Sequence, residues 1–239
     1  MGRAEKICEG CRVLVLTVNF LDEDRAEDTI YPAIISGRGE NVLVDCGCPG
    51  FLPRMEEAAL FVGVSLGEVT DILITHHDYD HYGALRELRE KYPNVRVMAS
   101  EMDAPYIEGL KKSMRLVQAD AIFGSLPPEE RDAALKFQRS LESIRPVKVD
   151  VRLKDGDTLP ACGARIIATP GHMPGHISVL VEECETLITG DALVAINGRL
   201  RVANPHYAMD AHEAYATAKM LESLDVKRFV CYHGGVVDI

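Results

Sequence analysis

Short apolar runs, each followed by a turn or a polar cluster, recur along the first part of the chain. The segments CRVLVLTVNFL (11–21) and ENVLVD (40–45) are rich in β-branched residues and predict strands. DILIT (71–75) and VRVMAS (95–100) predict two more. Apolar residues at helical spacing predict helices at 53–61 and 82–92. This alternation predicts a sheet with helices outside it.

The stretch from 103 to 145 breaks this pattern, because it is helix-like and poor in strand signals. Strand signals return in ARIIATP, ISVLVE, ETLITGD and KRFVCY, with a helix predicted at about 210–224. We therefore predict one α/β domain over residues 1–239. Two sheets would form a sandwich with helices on both outer faces, and residues 103–145 would be a helical insertion.

Composition limits the binding partners and the cellular location that we expect for this protein. The 239 residues are 47% hydrophobic, which supports a packed core, and the net charge of −11 disfavours nucleic acid. No apolar run approaches the roughly 18 residues that span a bilayer, so neither a membrane partner nor a cleaved leader is expected. The odd count of seven cysteines favours a reducing cytoplasm. The expected partner is a small-molecule substrate, and a homo-oligomer stays open.

The densest polar cluster, THHDYDH (75–81), follows the predicted strand DILIT directly. It places three histidines and two aspartates in six positions. A strand followed by a tight turn would aim His76, Asp78, Asp80 and His81 into one volume, because alternation along extended backbone puts positions i, i+2 and i+4 on one side. Imidazole and carboxylate groups hold zinc, iron or manganese. The cluster therefore predicts a metal site rather than a polar loop.

Three further residues follow predicted buried strands. His172 follows ARIIA in the loop PGHMPGH, Asp191 follows TLITG, and His233 follows FVCY. Strand ends of a sheet are where such sites collect their residues. Gly171, Gly190 and their counterpart beside His233 would let the backbone approach closely. Together with THHDYDH, these residues predict one site built from four chain segments.

The ordered motifs HxDxDH, PGHxPGHxS, TGD and HGG resemble those of the metallo-β-lactamase superfamily, from about Val13 to Gly235. The resemblance implies a four-layer αβ/βα sandwich with a dinuclear metal site at one edge. Its implied ligands are His76, Asp78 and His172 for one ion and Asp80, His81 and His233 for the other, with Asp191 bridging. Asp45 would be a supporting strand-end carboxylate.

Position 78 departs from the commonest family motif, which is HxHxDH. With Asp78 there, three carboxylates and a bridging hydroxide would balance two divalent ions, whereas histidine would leave a positive charge. A more anionic ligand set shifts preference from zinc towards manganese or iron and weakens the attraction for an anionic substrate. Two divalent ions are expected, zinc first, with manganese or iron as alternatives. His77 and His176 are interpreted as supports rather than ligands.

The resemblance implies a hydrolase that uses a metal-activated hydroxide on an ester, thioester, lactone or related bond. Asp80 would orient the water and pass a proton to the leaving group. Two alternatives stay open: an iron-dependent redox protein of the same fold, and a non-catalytic binding protein.

The helical insertion and the cysteines have their own interpretations. The insertion is expected to lie over the metal edge and line the substrate site, with Tyr106 or Phe123 as wall residues. Lys111, Lys112 and Arg115 are interpreted as solvated helix charges, with contact to a substrate carboxylate or phosphate as the alternative. Cys162 is interpreted as a buried apolar position. A structural zinc site formed by Cys8, Cys11, Cys46 and Cys48 is a weaker alternative.

Overall fold

The protein is represented by a computed structural model that describes residues 10–21 and 26–239. Two sheets form its centre. The six-stranded sheet has the order β1-β4-β5-β6-β7-β8, and the five-stranded sheet has the order β15-β14-β11-β10-β9. The strands are β1 Cys11–Val15, β2 Val18–Leu21, β3 Glu27–Ile30, β4 Ala33–Gly37, β5 Glu40–Val44, β6 Asp71–Ile74, β7 Arg96–Ser100, β8 Val151–Leu153, β9 Arg165–Ala168, β10 Ile177–Val181, β11 Thr186–Gly190, β12 Val194–Ile196, β13 Arg199–Arg201, β14 Arg228–Cys231 and β15 Gly235–Asp238.

Helices cover both outer faces, as predicted. Those before the insertion are α1 Leu52–Phe61, α2 Tyr79–Tyr82 and α3 Leu85–Lys91. The insertion, between β7 and β8, contains α4 Ala104–Ile107, α5 Met114–Phe123 and α6 Arg131–Ser143, and α7 Ala211–Glu222 follows β13.

Alternation along the strands places apolar side chains on both faces of each sheet. Ile35, Val44 and Leu73 of the first sheet share a buried cluster with Val179 and Val230 of the second. Their neighbours Ile34, Leu43 and Ile72 pack with Met55 and Leu85 of the outer helices. Leu187 and Phe229 pack with Ala218 and Leu221 of α7. This packing produces the four layers of the predicted sandwich.

Several boundaries differ from the prediction. The run CRVLVLTVNFL is split into β1 and β2, and the run 82–92 is divided between α2 and α3. The prediction omitted β3, β4, β8, β15 and the hairpin of β12 and β13. Most of these are short strands or edge strands, whose half-exposed residues give a weak hydrophobic pattern.

Cys11 and Cys162 form a disulfide with Cα atoms 5.6 Å apart. Cys162 is buried in the apolar core, as predicted, but it is oxidised in this disulfide. The bond also removes Cys11 from the four-thiolate alternative, while Cys8 lies outside the described residues. Within the described ranges, no helix is long and apolar enough to cross a bilayer.

Candidate metal centre

All seven predicted ligands lie at one edge of the sandwich. β5 and β6 are parallel, and β9, β11 and β14 of the second sheet run in one common direction. The carboxyl ends of these strands therefore meet. The polar loops after β6, β9, β11 and β14 place their side chains in two neighbouring groups. We call His76, Asp78 and His172 the inner cluster, and Asp80, His81 and His233 the outer cluster.

The backbone turns directly after β6, in line with the predicted tight turn. It turns at Asp78 into α2, so that Asp80 and His81 lie on one helical turn. This turn places both residues near His233 in the outer cluster, while the ring of His81 also lies 4.0 Å from that of His76. In that cluster, Asp80 Oδ2 lies 3.2 Å from His233 Nε2 and 3.7 Å from His81 Nε2.

Asp191 lies between the two clusters. Its Oδ2 is 3.6 Å from His172 Nε2, and its Oδ1 is 3.3 Å from His81 Nε2 and 3.6 Å from His233 Nε2. The ligand-type atoms of His76, His172 and Asp191 all lie within 4.8 Å of one another, as do those of the outer cluster. One carboxylate thus presents an oxygen to each group, which is the arrangement that a bridging ligand requires.

The buried donor atoms fit a bound cation. His76 Nε2, His81 Nε2 and Asp191 Oδ1 are buried without a hydrogen-bond partner among the described residues. Buried polar atoms without partners are costly, and they usually mark a missing water or ion. Nitrogen and carboxylate oxygen atoms at these spacings suit a divalent transition metal.

Neighbouring groups hold the ligands in place. Asp45 Oδ2 lies 2.9 Å from His81 Nδ1, and the same carboxylate accepts hydrogen bonds from Thr75 N and Thr75 Oγ1, both at 2.8 Å. The Tyr232 hydroxyl donates to the backbone oxygen of Asp80 at 2.6 Å. The sequence predicts a supporting role for Asp45 but carries no signal for Tyr232, which looks like any apolar strand residue.

His176 supports the loop that carries Asp191. The backbone N–H of Asp191 donates to His176 Nε2 at 3.0 Å, and His176 Nδ1 lies 2.7 Å from Thr169 Oγ1. Gly190 has a φ of +51°, and a Cβ there would lie 2.7 Å from His176 Nε2. Only glycine fits this close approach without displacing the imidazole.

His77 points away from the other histidines. Its ring stacks on Tyr106 at 4.3 Å, its Nδ1 lies 3.0 Å from Asp103 Oδ2, and its backbone N–H donates to the same oxygen at 2.8 Å. Tyr106 is thus engaged beneath the loop instead of lining the substrate site as expected.

The two clusters differ in electrostatics. Burial acts to lower the pKa of His233, but Asp191 and Asp80 outweigh it and raise this pKa to about 9. Burial also acts against protonation of His81, but three neighbouring carboxylates raise its pKa. In contrast, burial and neighbouring His81 lower the pKa of His76 to about 3. In the metal-free protein, the raised pKa values of His81 and His233 keep these two side chains protonated near neutrality, whereas His76 is neutral.

Asp78 is ionised in spite of its burial. Burial alone would raise the pKa of its carboxyl, but the hydrogen bond with His172, the nearby His76 and the charge of Arg115 hold this pKa well below its usual value. Arg115 is buried in an ion pair with Asp78, so the interpretation of this arginine as a solvated helix charge is wrong. The charge balance drawn from the sequence omitted this cation.

A cavity of about 760 Å³ opens over both clusters. The hairpin of β12 and β13 and the segment around 202–207 form one wall, and Phe137 of the insertion forms part of another. Its larger apolar lining residues are Phe137, Val194, Ile196, Val202, Pro205 and Tyr207. The insertion thus contributes to the site through Arg115 and Phe137, whereas Phe123 and Tyr106 are absent from the lining.

Comparison with known proteins gives the same family. The family model of the metallo-beta-lactamase superfamily matches residues 30–233. The Bacillus subtilis protein YobT is 28% identical over 208 residues, covering 81% of each chain. A hydroxyacylglutathione hydrolase of Synechococcus is 30% identical over 157 residues, which are 64% of this chain. The match covers 47% of the hydrolase's own length, so the chain spans about half of that protein.

Solved structures show the same fold. A metallo-beta-lactamase family protein from Thermus thermophilus has a TM-score of 0.70 at 23% identity, covering 95% of this chain and 74% of its own. TTHA1623, solved in a di-iron-bound form, has a TM-score of 0.61 at 24% identity, covering 88% and 90%. With the sandwich, the edge site and the family match in agreement, the chain belongs to the metallo-beta-lactamase superfamily.

Proposed function

We propose that this protein is a metal-dependent hydrolase of uncharged esters, thioesters or lactones that carry an apolar acyl part. Superfamily membership and relatives named as hydroxyacylglutathione hydrolases support hydrolysis in general. The preference for an uncharged substrate is supported by the cavity. Its walls are largely apolar, and of its described lining residues Arg115 is the one lysine or arginine. That arginine is already paired with Asp78.

The chain would hold two divalent ions through the inner and outer clusters, with Asp191 between them. Bound ions would supply Lewis acidity and activate water. Zinc suits this mixture of imidazole and carboxylate, and manganese or iron stays an alternative. A location in a reducing cytoplasm stays part of the proposal. Four buried cysteines that form no disulfide support it, and the disulfide of Cys11 with Cys162 opposes it.

Asp80 is the proposed proton carrier. Its side chain is one quarter exposed at the cavity, while its backbone oxygen is fixed by Tyr232. A carboxylate that is both fixed and accessible can orient water and pass a proton to a leaving group. The apolar side chains opposite, such as Phe137 and Ile196, would bind the acyl part and exclude water from it.

The observation that carries the proposal is the pair of ligand clusters on the floor of an apolar cavity. The test is hydrolysis by metal-loaded protein of two thioesters that share one apolar acyl group. One has a neutral thiol and the other has glutathione. We expect kcat/KM to be at least about tenfold higher for the neutral thiol ester, because no free arginine or lysine among the described lining residues meets the carboxylates of glutathione.

Further results distinguish hydrolysis of these bonds from the preference for an uncharged substrate. Phe137→Ala should raise KM for both thioesters and leave metal content unchanged. A preference for the glutathione ester would contradict the uncharged substrate class. Metal-loaded protein that cleaves no ester, thioester or lactone would contradict hydrolysis itself.

A further inference from the structure

An arginine of the helical insertion lies against the inner cluster. Arg115 of α5 is 7% exposed and binds Asp78 in a bidentate ion pair, with Nη2 2.6 Å from Oδ2 and Nε 3.2 Å from Oδ1. The two residues are 37 positions apart in the chain. A planar guanidinium facing both carboxylate oxygens is the strongest form of this pairing.

The remaining contacts of Arg115 occupy most of its N–H donors, so few are available to a substrate. Its Nη1 donates to Gln118 Oε1 at 3.1 Å and to the backbone oxygen of Tyr207 at 3.0 Å. Four donor contacts therefore fix the guanidinium between α5, Asp78 and the 202–207 segment. A fixed and buried cation acts on its surroundings through its charge.

The carboxylate that Arg115 binds also faces the inner histidines. Asp78 Oδ2 lies 3.1 Å from His172 Nε2 and 3.5 Å from His76 Nε2. Ligand atoms about 2.0–2.2 Å from a tetrahedral metal are roughly 3.3–3.6 Å apart, so this oxygen suits the proposed ligand role. The same oxygen would then lie between the guanidinium and the ion.

We propose that Arg115 acts through Asp78 as a charge-compensating residue, so that the pair serves as one electrically neutral metal donor. This inference rests on the proposed metal centre. The anionic ligand set that Asp78 would otherwise create is cancelled, and the inner cluster carries the same net charge as it would with a neutral histidine at position 78. An isolated aspartate would bind the ion more tightly, and a histidine beside Arg115 would bind it more weakly.

The competing explanation is that Arg115 only braces Asp78. Loss of a residue that only positions a metal ligand typically weakens metal binding by about 10- to 100-fold. Loss of a compensating cation strengthens it, because a positive charge close to the ion is removed. The two roles therefore predict opposite signs for the same substitution.

The experiment compares zinc affinity across a double-mutant cycle, by competition with a chromogenic chelator. His233→Ala in every protein disables the outer cluster, so that the inner ion is measured. Arg115→Gln should bind zinc at least about tenfold more tightly than this parent, because the pair becomes anionic. Asp78→His should bind at least about tenfold more weakly, and Asp78→His/Arg115→Gln should return to within about threefold of the parent.

Two further variants serve as controls. Arg115→Lys keeps the charge without the fork and should stay within about threefold of the parent. Arg96→Met breaks another bidentate pair, with buried Asp71 at 2.7 and 3.0 Å, and should leave zinc affinity unchanged. Circular dichroism checks that each variant is folded. If Arg115→Gln does not fold, Arg115→Lys still tests the role of the charge.

The result that overturns this role is weaker zinc binding by Arg115→Gln without rescue by Asp78→His, or equally weak binding by Arg115→Lys. Arg115 would then be a brace. A parent protein and wild type that bind no metal would overturn the proposed function instead, so the two failures are distinguishable.

Discussion

The inner and outer clusters neutralise their carboxylates in two different ways. In the outer cluster, Asp80 faces His81 and His233, whose raised pKa values make them cationic before any metal arrives. In the inner cluster, the pKa of His76 is low, and the cation beside Asp78 is Arg115. Metal binding can displace the protons of the outer cluster but cannot deprotonate an arginine.

This contrast would give the two proposed metal positions at one edge unlike characters. The outer cluster is open, since the side chains of Asp80 and His233 are 25% and 34% exposed. The inner cluster is buried, and its charge is set by the helical insertion. The outer position therefore depends on pH, whereas the inner position depends on the placement of α5.

The largest expected effect comes from the residue that both clusters share. Asp191→Asn keeps the shape and removes the charge that faces His81, His172 and His233. We expect metal content to fall for both ions and kcat/KM to fall by at least about 10³-fold. Elemental analysis and thioester assays measure this. Loss of only one ion would mean that Asp191 belongs to one cluster, and the bridging arrangement would be wrong.

Substitutions confined to one cluster should each remove mainly one ion. Asp78→Ala should empty the inner position and also leave Arg115 buried and unpaired, which costs about 3–5 kcal/mol in the free energy of unfolding. His233→Ala should empty the outer position with a much smaller loss of stability, because its side chain is partly exposed. Metal content and urea unfolding of the metal-free proteins check both. Equal destabilisation by the two variants would remove the contrast between the clusters.

Weakening the support of Asp191 should have an intermediate effect. His176→Leu removes the acceptor of the Asp191 N–H and should cost about 1–3 kcal/mol in the free energy of unfolding, with about tenfold weaker metal binding. The exposed His206 offers a matched control, and His206→Leu should change neither quantity. Unchanged metal affinity in His176→Leu would show that the loop holds Asp191 by other contacts.

The smallest expected signal is a count of protons. Metal binding to the outer cluster near neutral pH should release about two protons, from His81 and His233, whereas binding in a His233→Ala protein should release fewer. Calorimetric titrations in buffers of different ionisation enthalpy measure this difference. Equal release in both proteins would contradict the contrast in charge.

The pKa shifts of His233 and His76 also determine how the stability of the metal-free protein changes with pH. The pKa of His233 is raised above its ordinary 6.5 to about 9, so the stability it provides is fully present below about pH 6.5 and is lost as pH rises through about 9. The pKa of His76 is depressed to about 3, so stability is also lost as pH falls from about 6.5 towards 3. Unfolding measured in chelator across this range should therefore show both losses.

Much of the site could be predicted because it follows buried strands. The runs DILIT and TLITG are strongly apolar, and the polar residues after them can only lie at a sheet edge. Arg115 could not be predicted in the same way, since a helix arginine is usually solvated and its partner is 37 residues distant. Phe137 belongs to α6, in which Leu141 is the one buried residue, so no apolar pattern placed it at the cavity.

The disulfide between Cys11 and Cys162 closes a covalent loop over 151 positions of the chain. The residues His76 to His81 lie inside this loop, whereas His172, Asp191 and His233 lie beyond it. Tension applied at the two ends of the oxidised chain would therefore extend only the part that carries the second set of residues. In a single-molecule pulling experiment, the proposed metal centre would rupture at the boundary between the segment closed by the disulfide and the extensible segment after it.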